Sequence, residues 1–337
     1  MLGATPFQRR ASRGRPDGET AVLCEIAASR IPEGARSGYV TTADDIRIRY
    51  AHWPAARGAG LRGTVTVLTG RTEFIEKYYE LVQELTSRGF AVAIFDWRGQ
   101  GGSERLLRNR LKGHVGDFRD YQADLEAMVR QVILPDCPAP HYALCHSMGA
   151  VVALDSVLEG HRWFERMVLM CPMLGLNLGP ATQAVRALAR LLRGPFASFY
   201  IPGGRNRPIT ERPFATNPVT RDPARYELAA EMVRAHPHLA LGAPTIGWLA
   251  AAFDAMDRLA QPEVIRQIRQ PLLIVGAGDE RIVSNSAMER LSTRLIAGGH
   301  VFVPGARHEL LMERDAIRAQ ALAAFDAFIP GTLPAGW

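Results

Sequence analysis

Three residues able to carry acyl-transfer chemistry follow one another along the chain: Ser147, Asp279 and His308. A serine hydroxyl is a weak nucleophile at neutral pH. It needs a histidine to take its proton and a carboxylate to hold the other ring nitrogen in the productive tautomer. Ser147 stands in Cys145-His146-Ser147-Met148-Gly149, which meets the pattern G-x-S-x-G at the serine and the second glycine and departs from it at Cys145. Asp279 and His308 each come just after a short apolar run, with Glu280, Asp254 and Asp257 as fallback acids. A tetrahedral intermediate needs two N–H donors for its oxyanion, and the backbone N–H groups of Met148 and Arg71 are the candidates. His146 is expected to pack at the rim of the site, because adjacent residues on a sharp turn point in different directions. His114, His141 and His300 are expected to be structural.

The elements that must position these residues can be read from hydrophobic period. Continuous apolar runs at 64–68, 91–95, 141–146, 167–170, 271–275 and 300–303 predict strands buried on both faces. Helical spacing at 74–87, 117–132, 150–158, 284–291 and 315–328 alternates with them, which implies a parallel sheet wound through right-handed crossovers. Segments 37–42 and 46–52 flank a turn at 43–45 and predict an antiparallel entry hairpin. Between 175 and 262 the alternation stops. Helical patterns at 182–192, 223–235 and 245–259 are separated by Pro/Gly-rich joints, with no buried strand among them. This reads as an inserted helical cap over the carboxyl edge of the sheet, where sites form. The expected organisation is therefore an arm at 1–36, partly flexible, an α/β core at 37–174 and 263–330, a cap at 175–262 and a tail at 331–337.

The 337 residues are 47% hydrophobic and 22% charged, enough to build a sizeable core. The net charge of +6 comes mostly from scattered arginines, without zinc-finger spacing, an RNP-like run or a basic heptad region. No nucleic-acid partner is expected, whereas weak attraction to anionic lipid is compatible with the charge. The four cysteines form no C-x-x-C pair and no His/Cys cluster has zinc spacing, so buried free thiols and no metal are expected. No cofactor is expected either, since Gly276-Ala277-Gly278 lacks the third glycine of a dinucleotide loop. No apolar run is long enough to span a bilayer, and Arg9, Arg10, Arg13 and Arg15 precede no apolar signal segment. A cytoplasmic protein, soluble or peripheral at the inner face of the membrane, is the expectation. Oligomeric state is not specified.

Five stretches carry a resemblance: Leu68-Thr69-Gly70-Arg71-Thr72-Glu73, Phe95-Asp96-Trp97-Arg98-Gly99-Gln100-Gly101-Gly102-Ser103, Cys145 to Gly149, Gly276-Ala277-Gly278-Asp279-Glu280-Arg281-Ile282-Val283, and Ala306-Arg307-His308-Glu309-Leu310-Leu311-Met312-Glu313. Together they resemble the serine aminopeptidase S33, or hydrolase-4, group of α/β hydrolases, most of all its bacterial lysophospholipases and monoacylglycerol lipases. The resemblance implies the α/β-hydrolase fold, with a mostly parallel central sheet, helices on both faces and an inserted helical cap. It also implies a serine carboxylic-ester hydrolase acting on a small lipid-like ester. Two positions depart from the group's pattern: Thr69 stands where His-Gly usually begins the oxyanion loop, and Cys145 stands where glycine is usual. Esters, thioesters or peptides of small soluble substrates remain alternatives with the same triad. A non-catalytic binder on the same scaffold is the alternative that the two departures suggest.

Overall fold

The computed structural model describes residues 20–330. Eight strands form one sheet in the order β1-β2-β4-β3-β5-β6-β7-β8. They are β1 (Arg36–Thr41), β2 (Arg47–Trp53), β3 (Thr64–Leu68), β4 (Ala91–Phe95), β5 (His141–His146), β6 (Arg166–Met170), β7 (Leu272–Ala277) and β8 (Gly298–Val303). Only the entry hairpin is antiparallel: β1 pairs with β2 and β2 with β4, and from β4 onward all pairings are parallel. Strands β3, β4 and β7 are buried along their whole length, and β5 is buried after its first residue. That is the signature of a sheet covered on both sides, and it explains why these strands read as continuous apolar runs.

The helices are α1 (Tyr79–Ser87), α2 (Arg119–Met128), α3 (Leu134–Asp136), α4 (Met148–Leu158), α5 (Thr182–Phe196), α6 (Pro223–Ala235), α7 (Ile246–Leu259), α8 (Pro262–Ile265), α9 (Asn285–Ser292) and α10 (Asp315–Phe328). Helices α1 and α10 are neighbours through Arg88 and Asp326, 3.1 Å apart, and Phe90 meets Phe325 edge to face. The spacing that predicts one helix over 74–87 is realised as a 3₁₀ turn, Ile75–Tyr78, running into α1. The predicted helix at 117–132 is α2 widened into a π turn at Val129–Ile133 before α3.

Helices α5, α6 and α7 lie between β6 and β7 in sequence, and none of the sheet's strands interrupts them. Helix α7 is sheathed almost completely, whereas α5 buries only Ala189. The two are joined by Arg186, Arg190 and Arg193 of α5 reaching Asp254 and Asp257 of α7 at 2.6–2.7 Å. Asp254 and Asp257 are thereby committed to the α5–α7 contact.

Residues 20–35, before β1, adopt no long regular element, yet they are held to the sheet. Cys24 N–H donates to Glu76 at 3.1 Å, Tyr79 Oη donates to the Cys24 carbonyl at 2.9 Å, and Trp53 Nε1 donates to the Pro32 carbonyl at 3.1 Å. The remaining arm, 1–19, and the tail, 331–337, lie outside the described residues. Beneath this segment Arg49, 1% exposed, joins Glu76 and Asp96 at 2.7 Å each. Removal of one partner from such a buried cluster leaves an uncompensated charge, so the set holds together as a unit.

Candidate active site

Strand β5 ends at His146, and Ser147 turns the chain into α4 with φ 49° and ψ −109°, outside the regions open to most L-residues. A strained residue of this kind persists only where its surroundings over-determine it. Here Ser147 N–H donates to the Met170 carbonyl at 3.0 Å, and the Ser147 carbonyl accepts from Met173 at 3.1 Å. Gly149 is required by close approach: a Cβ there would lie 2.3 Å from the Leu68 carbonyl oxygen and 2.7 Å from that of Thr69. Cys145, by contrast, is an ordinary residue of β5, paired with Leu68 on one side and Leu169 on the other, without positive φ. The side chain fits, and burial pushes its thiol pKa far up, so it is a neutral packing group.

His308 follows β8 and the turn at Gly305, whose φ is +72°. Its Nε2 lies 3.1 Å from Ser147 Oγ, and its Nδ1 lies 2.9 Å from Glu280 Oε2. With a carboxylate at Nδ1, that nitrogen carries the proton and Nε2 is left to accept from the serine hydroxyl. Burial would raise the pKa of Glu280, but His308 and the backbone N–H groups of Ile282 and Val283 outweigh it and hold the carboxyl below its usual range.

The expected acid, Asp279, is not the residue that reaches His308. Its backbone N–H donates to the Ala306 carbonyl at 2.8 Å, continuing the approach of β7 to the chain beyond β8. Its side chain faces Arg221 at 2.6 Å, Arg281 at 3.1 Å and Arg307 at 3.7 Å. The next residue, one methylene longer, folds back instead: Glu280 Oε1 accepts from Arg281, Ile282 and Val283, and Oε2 takes His308. Cys171, a non-glycine at φ 44°, lies beside the same carboxylate, and burial together with that charge pushes its thiol pKa far up. Cys171, Glu280 and His308 have ligand-type atoms within 4.8 Å of one another, and among the described residues they are the group of this kind. Both ring nitrogens of His308 and Oε2 of Glu280 already have hydrogen-bond partners, and the thiol, raised far above its usual pKa, is neutral.

His146 is a structural hub. Its Nδ1 lies 3.0 Å from Glu73 Oε2, and its Nε2 lies 3.1 Å from the His308 carbonyl oxygen. Both partners can only accept, so both nitrogens must donate and the ring is an imidazolium. Burial works against that charge, but the Glu73 carboxylate outweighs it and raises the pKa. Glu73 in turn is pulled well below its usual value by His146 and Lys77 against the effect of burial. It also accepts from Gly70 N–H and from Tyr78 Oη. Neither Glu73 nor the role of His146 was apparent from spacing; the signal available was the buried Glu three residues beyond Gly70.

In the loop after β3, Gly70 N–H is held by Glu73 and Thr72 N–H by Gln100 Oε1 at 2.6 Å. Arg71 N–H between them, and Met148 N–H at the start of α4, have no acceptor among the described residues. Met148 follows Ser147 in sequence and Arg71 lines the same cavity, so these are free donors of the kind an oxyanion requires. Thr69 contributes through its backbone, its carbonyl accepting from Trp97 Nε1 at 2.8 Å.

Ser147, His308 and Arg71 line a cavity of about 520 Å³. Leu188, Leu192, Trp248 and Leu249 of the apolar positions in 175–262 line it as well. Val185, Ile201, Ile209, Val219 and Ile246 line it too, whereas Leu191, Phe196, Phe199 and Phe253 do not. Phe253 is fully buried, while Leu191, Phe196 and Phe199 are exposed to 75%, 43% and 57%. One wall is stitched to the histidine loop: Glu309 N–H donates to the Val219 carbonyl at 2.8 Å, Thr220 Oγ1 to that of Met312 at 2.6 Å, and Arg307 Nη1 to those of Asn217 and Thr220.

Known proteins resemble this chain in sequence and in fold. The Hydrolase_4 family, serine aminopeptidase S33, matches residues 59–315. Lysophospholipase L2 of Escherichia coli (strain K12) is 33% identical over 307 residues, spanning 88% of this chain and 88% of its own. A probable lysophospholipase L2 of Haemophilus influenzae is 28% identical, spanning 86% and 91%. Among solved structures, a soluble variant of monoglyceride lipase from Saccharomyces cerevisiae superposes with a TM-score of 0.68 at 19% identity, covering 90% of this chain and 98% of that one. At that identity the likeness speaks to the fold.

Two expected outcomes follow from the geometry. Glu280→Gln should lower kcat on an ester by about a thousandfold or more, whereas Asp279→Asn should change it by less than about threefold, measured side by side with p-nitrophenyl butyrate. His146 has its folded pKa raised, so its stabilising contribution is complete below an unfolded value of about 6.5 and is lost as pH rises through the folded one. The difference in urea midpoint between wild type and His146→Gln should therefore be larger near pH 6 than in alkaline buffer.

Proposed function

The chain belongs to the serine aminopeptidase S33 (Hydrolase_4) family and is a hydrolase with the α/β-hydrolase fold, and on that premise we propose that it cleaves the carboxylic ester of a single-chain lipid, a lysophospholipid or monoacylglycerol, through an acyl-enzyme on Ser147. The observation that carries the reading is His308 set between Ser147 Oγ and Glu280 Oε2 at the foot of a largely apolar cavity. In this mechanism His308 Nε2 takes the Ser147 proton as Oγ attacks the ester carbonyl, and Glu280 holds the imidazolium that forms. The N–H groups of Arg71 and Met148 receive the oxyanion. His308 then returns the proton to the departing glycerol oxygen, and a water activated by the same nitrogen releases the fatty acid. The acyl chain lies along Leu188, Leu192 and Leu249.

Relatives that span most of this chain's length are lysophospholipases L2 and, at 24% identity over 80% of the chain, a monoglyceride lipase of Mus musculus, which supports the choice of a lipid ester over a small soluble one. Ser147→Ala should abolish fatty-acid release from monoesters of every chain length and abolish labelling by a fluorophosphonate probe. Wild-type kcat/KM should rise with acyl length well beyond four carbons. A flat profile would instead favour a small-ester or thioester substrate.

Peripheral contact with an anionic membrane is the second part of the proposal. Among the described residues no helix is long and apolar enough to cross a membrane. The exposed Leu191, Phe196 and Phe199 on and just after α5 adjoin the cavity-lining Leu188 and Leu192, and the chain carries a net charge of +6. An amphipathic, partly basic surface beside the substrate cavity suits shallow insertion among lipid head groups. Sedimentation with phosphatidylglycerol vesicles should be strong at low salt and weaken at about 0.5 M salt, and Leu191→Ser with Phe199→Ser should reduce it at both.

A further inference from the structure

The cavity holds four cationic side chains besides its histidines: Arg71, Lys77, Arg212 and Arg225. Two are neutralised. Lys77 meets Glu73 at 3.1 Å and Glu309 at 2.7 Å, and Arg225 meets Glu80, Asp222 and Asp315 at 2.6–3.0 Å. Arg71 and Arg212 differ. No described carboxylate lies within ion-pair distance of either; Arg212 is exposed, whereas Arg71 is partly buried, as are most arginines that ion pairs engage elsewhere in the chain.

Arg71 is also pre-set in position. Its Nη2 donates to the Gly242 carbonyl, its guanidinium lies over the Trp248 ring at 5.4 Å, and its Nε is buried without a partner. Gly113 leaves room for it, since a Cβ there would come within 2.7 Å of Nη2. Burial, with a further push from the charge of Arg212, brings the Arg71 pKa down to about 10, so the group is still a cation at neutral pH. A partly buried guanidinium with no ion-pair partner, and a second, exposed guanidinium on the lining of the same largely apolar cavity, are the arrangement that an incoming anion relieves.

We infer that Arg71 and Arg212 form a subsite for the phosphodiester of the substrate's head group, so that the cavity selects phosphate-bearing monoacyl lipids over neutral monoacylglycerols. The planar fork of arginine matches phosphate oxygens in pairs. The placement fits the chemistry: Arg71 offers its backbone N–H to the ester oxyanion and its guanidinium one side chain away, as the glycerol carbons separate ester from phosphate. This assignment rests on the ester-hydrolase reading above and refines its substrate.

The test is a ratio, kcat/KM for 1-acyl lysophosphatidylglycerol over kcat/KM for the 1-monoacylglycerol with the same chain, both as monomers. A general loss of activity leaves this ratio unmoved. For Arg212→Gln and for Arg71→Met the ratio should fall about tenfold or more, the loss expected for one charge-assisted hydrogen bond. Arg71→Lys should recover part of it. Arg294→Gln removes an exposed guanidinium that is not part of the cavity lining, and should leave the ratio at the wild-type value. An unchanged ratio in both cavity variants would overturn the subsite, as would an equal fall in Arg294→Gln, which would assign the effect to overall charge. Either result leaves the hydrolase reading standing. That reading fails separately, if Ser147→Ala retains turnover of both lipids.

Discussion

One buried carboxylate ties the site together. Glu73 accepts from Gly70 N–H, Tyr78 Oη, Lys77 Nζ and His146 Nδ1. His146 passes the connection to the His308 carbonyl. The loop after β3, the end of β5 and the loop after β8 are thus referenced to a single anion and its imidazolium partner. Burying a charge is costly unless it is fully paired, and here the pairing is used to register three strand-end loops that no secondary structure connects. Gly70 is needed for this, because a Cβ there would sit 2.8 Å from His146 Nδ1 and 2.9 Å from Glu73 Oε2. Thr69, where the group usually has histidine, leaves this bond set intact because it enters the loop through its carbonyl.

The framework was legible wherever a residue's position follows from period and strand order. Continuous apolar runs identified the parallel strands, and their ends located Ser147 and His308. The acid was not legible to the residue. Asp279 and Glu280 are both carboxylates in one loop, and which one turns inward depends on the pairing of Asp279 N–H with Ala306 and on three arginines that claim the shorter side chain. None of those arginines is recognisable as a partner before the fold is known.

Two other outcomes have the same cause. The apolar positions between 175 and 262 look like one stripe, yet they divide into cavity lining, buried packing and exposed surface, because period reports a face without saying what covers it. Cys145 looks like a defect in a glycine pattern, yet in this chain the position is strand backbone with space for a small side chain. The glycine that close approach demands is Gly149. His146, expected to pack at the rim of the site, does line the cavity, and its ring is also held in the Glu73 network.

The stitching between 217–220 and the histidine loop has a mechanical consequence. Backbone and hydroxyl bonds fasten that wall of the cavity to the very loop that carries His308, so it behaves as the fixed jamb of a doorway. The opposite wall is different in kind. Helix α5 buries one residue and is clasped to α7 by half-exposed arginine–aspartate pairs, contacts that water and salt loosen readily. The chamber therefore has one side bonded directly to the loop that carries His308 and another, at α5, held largely by half-exposed ion pairs that no bond of the triad reaches.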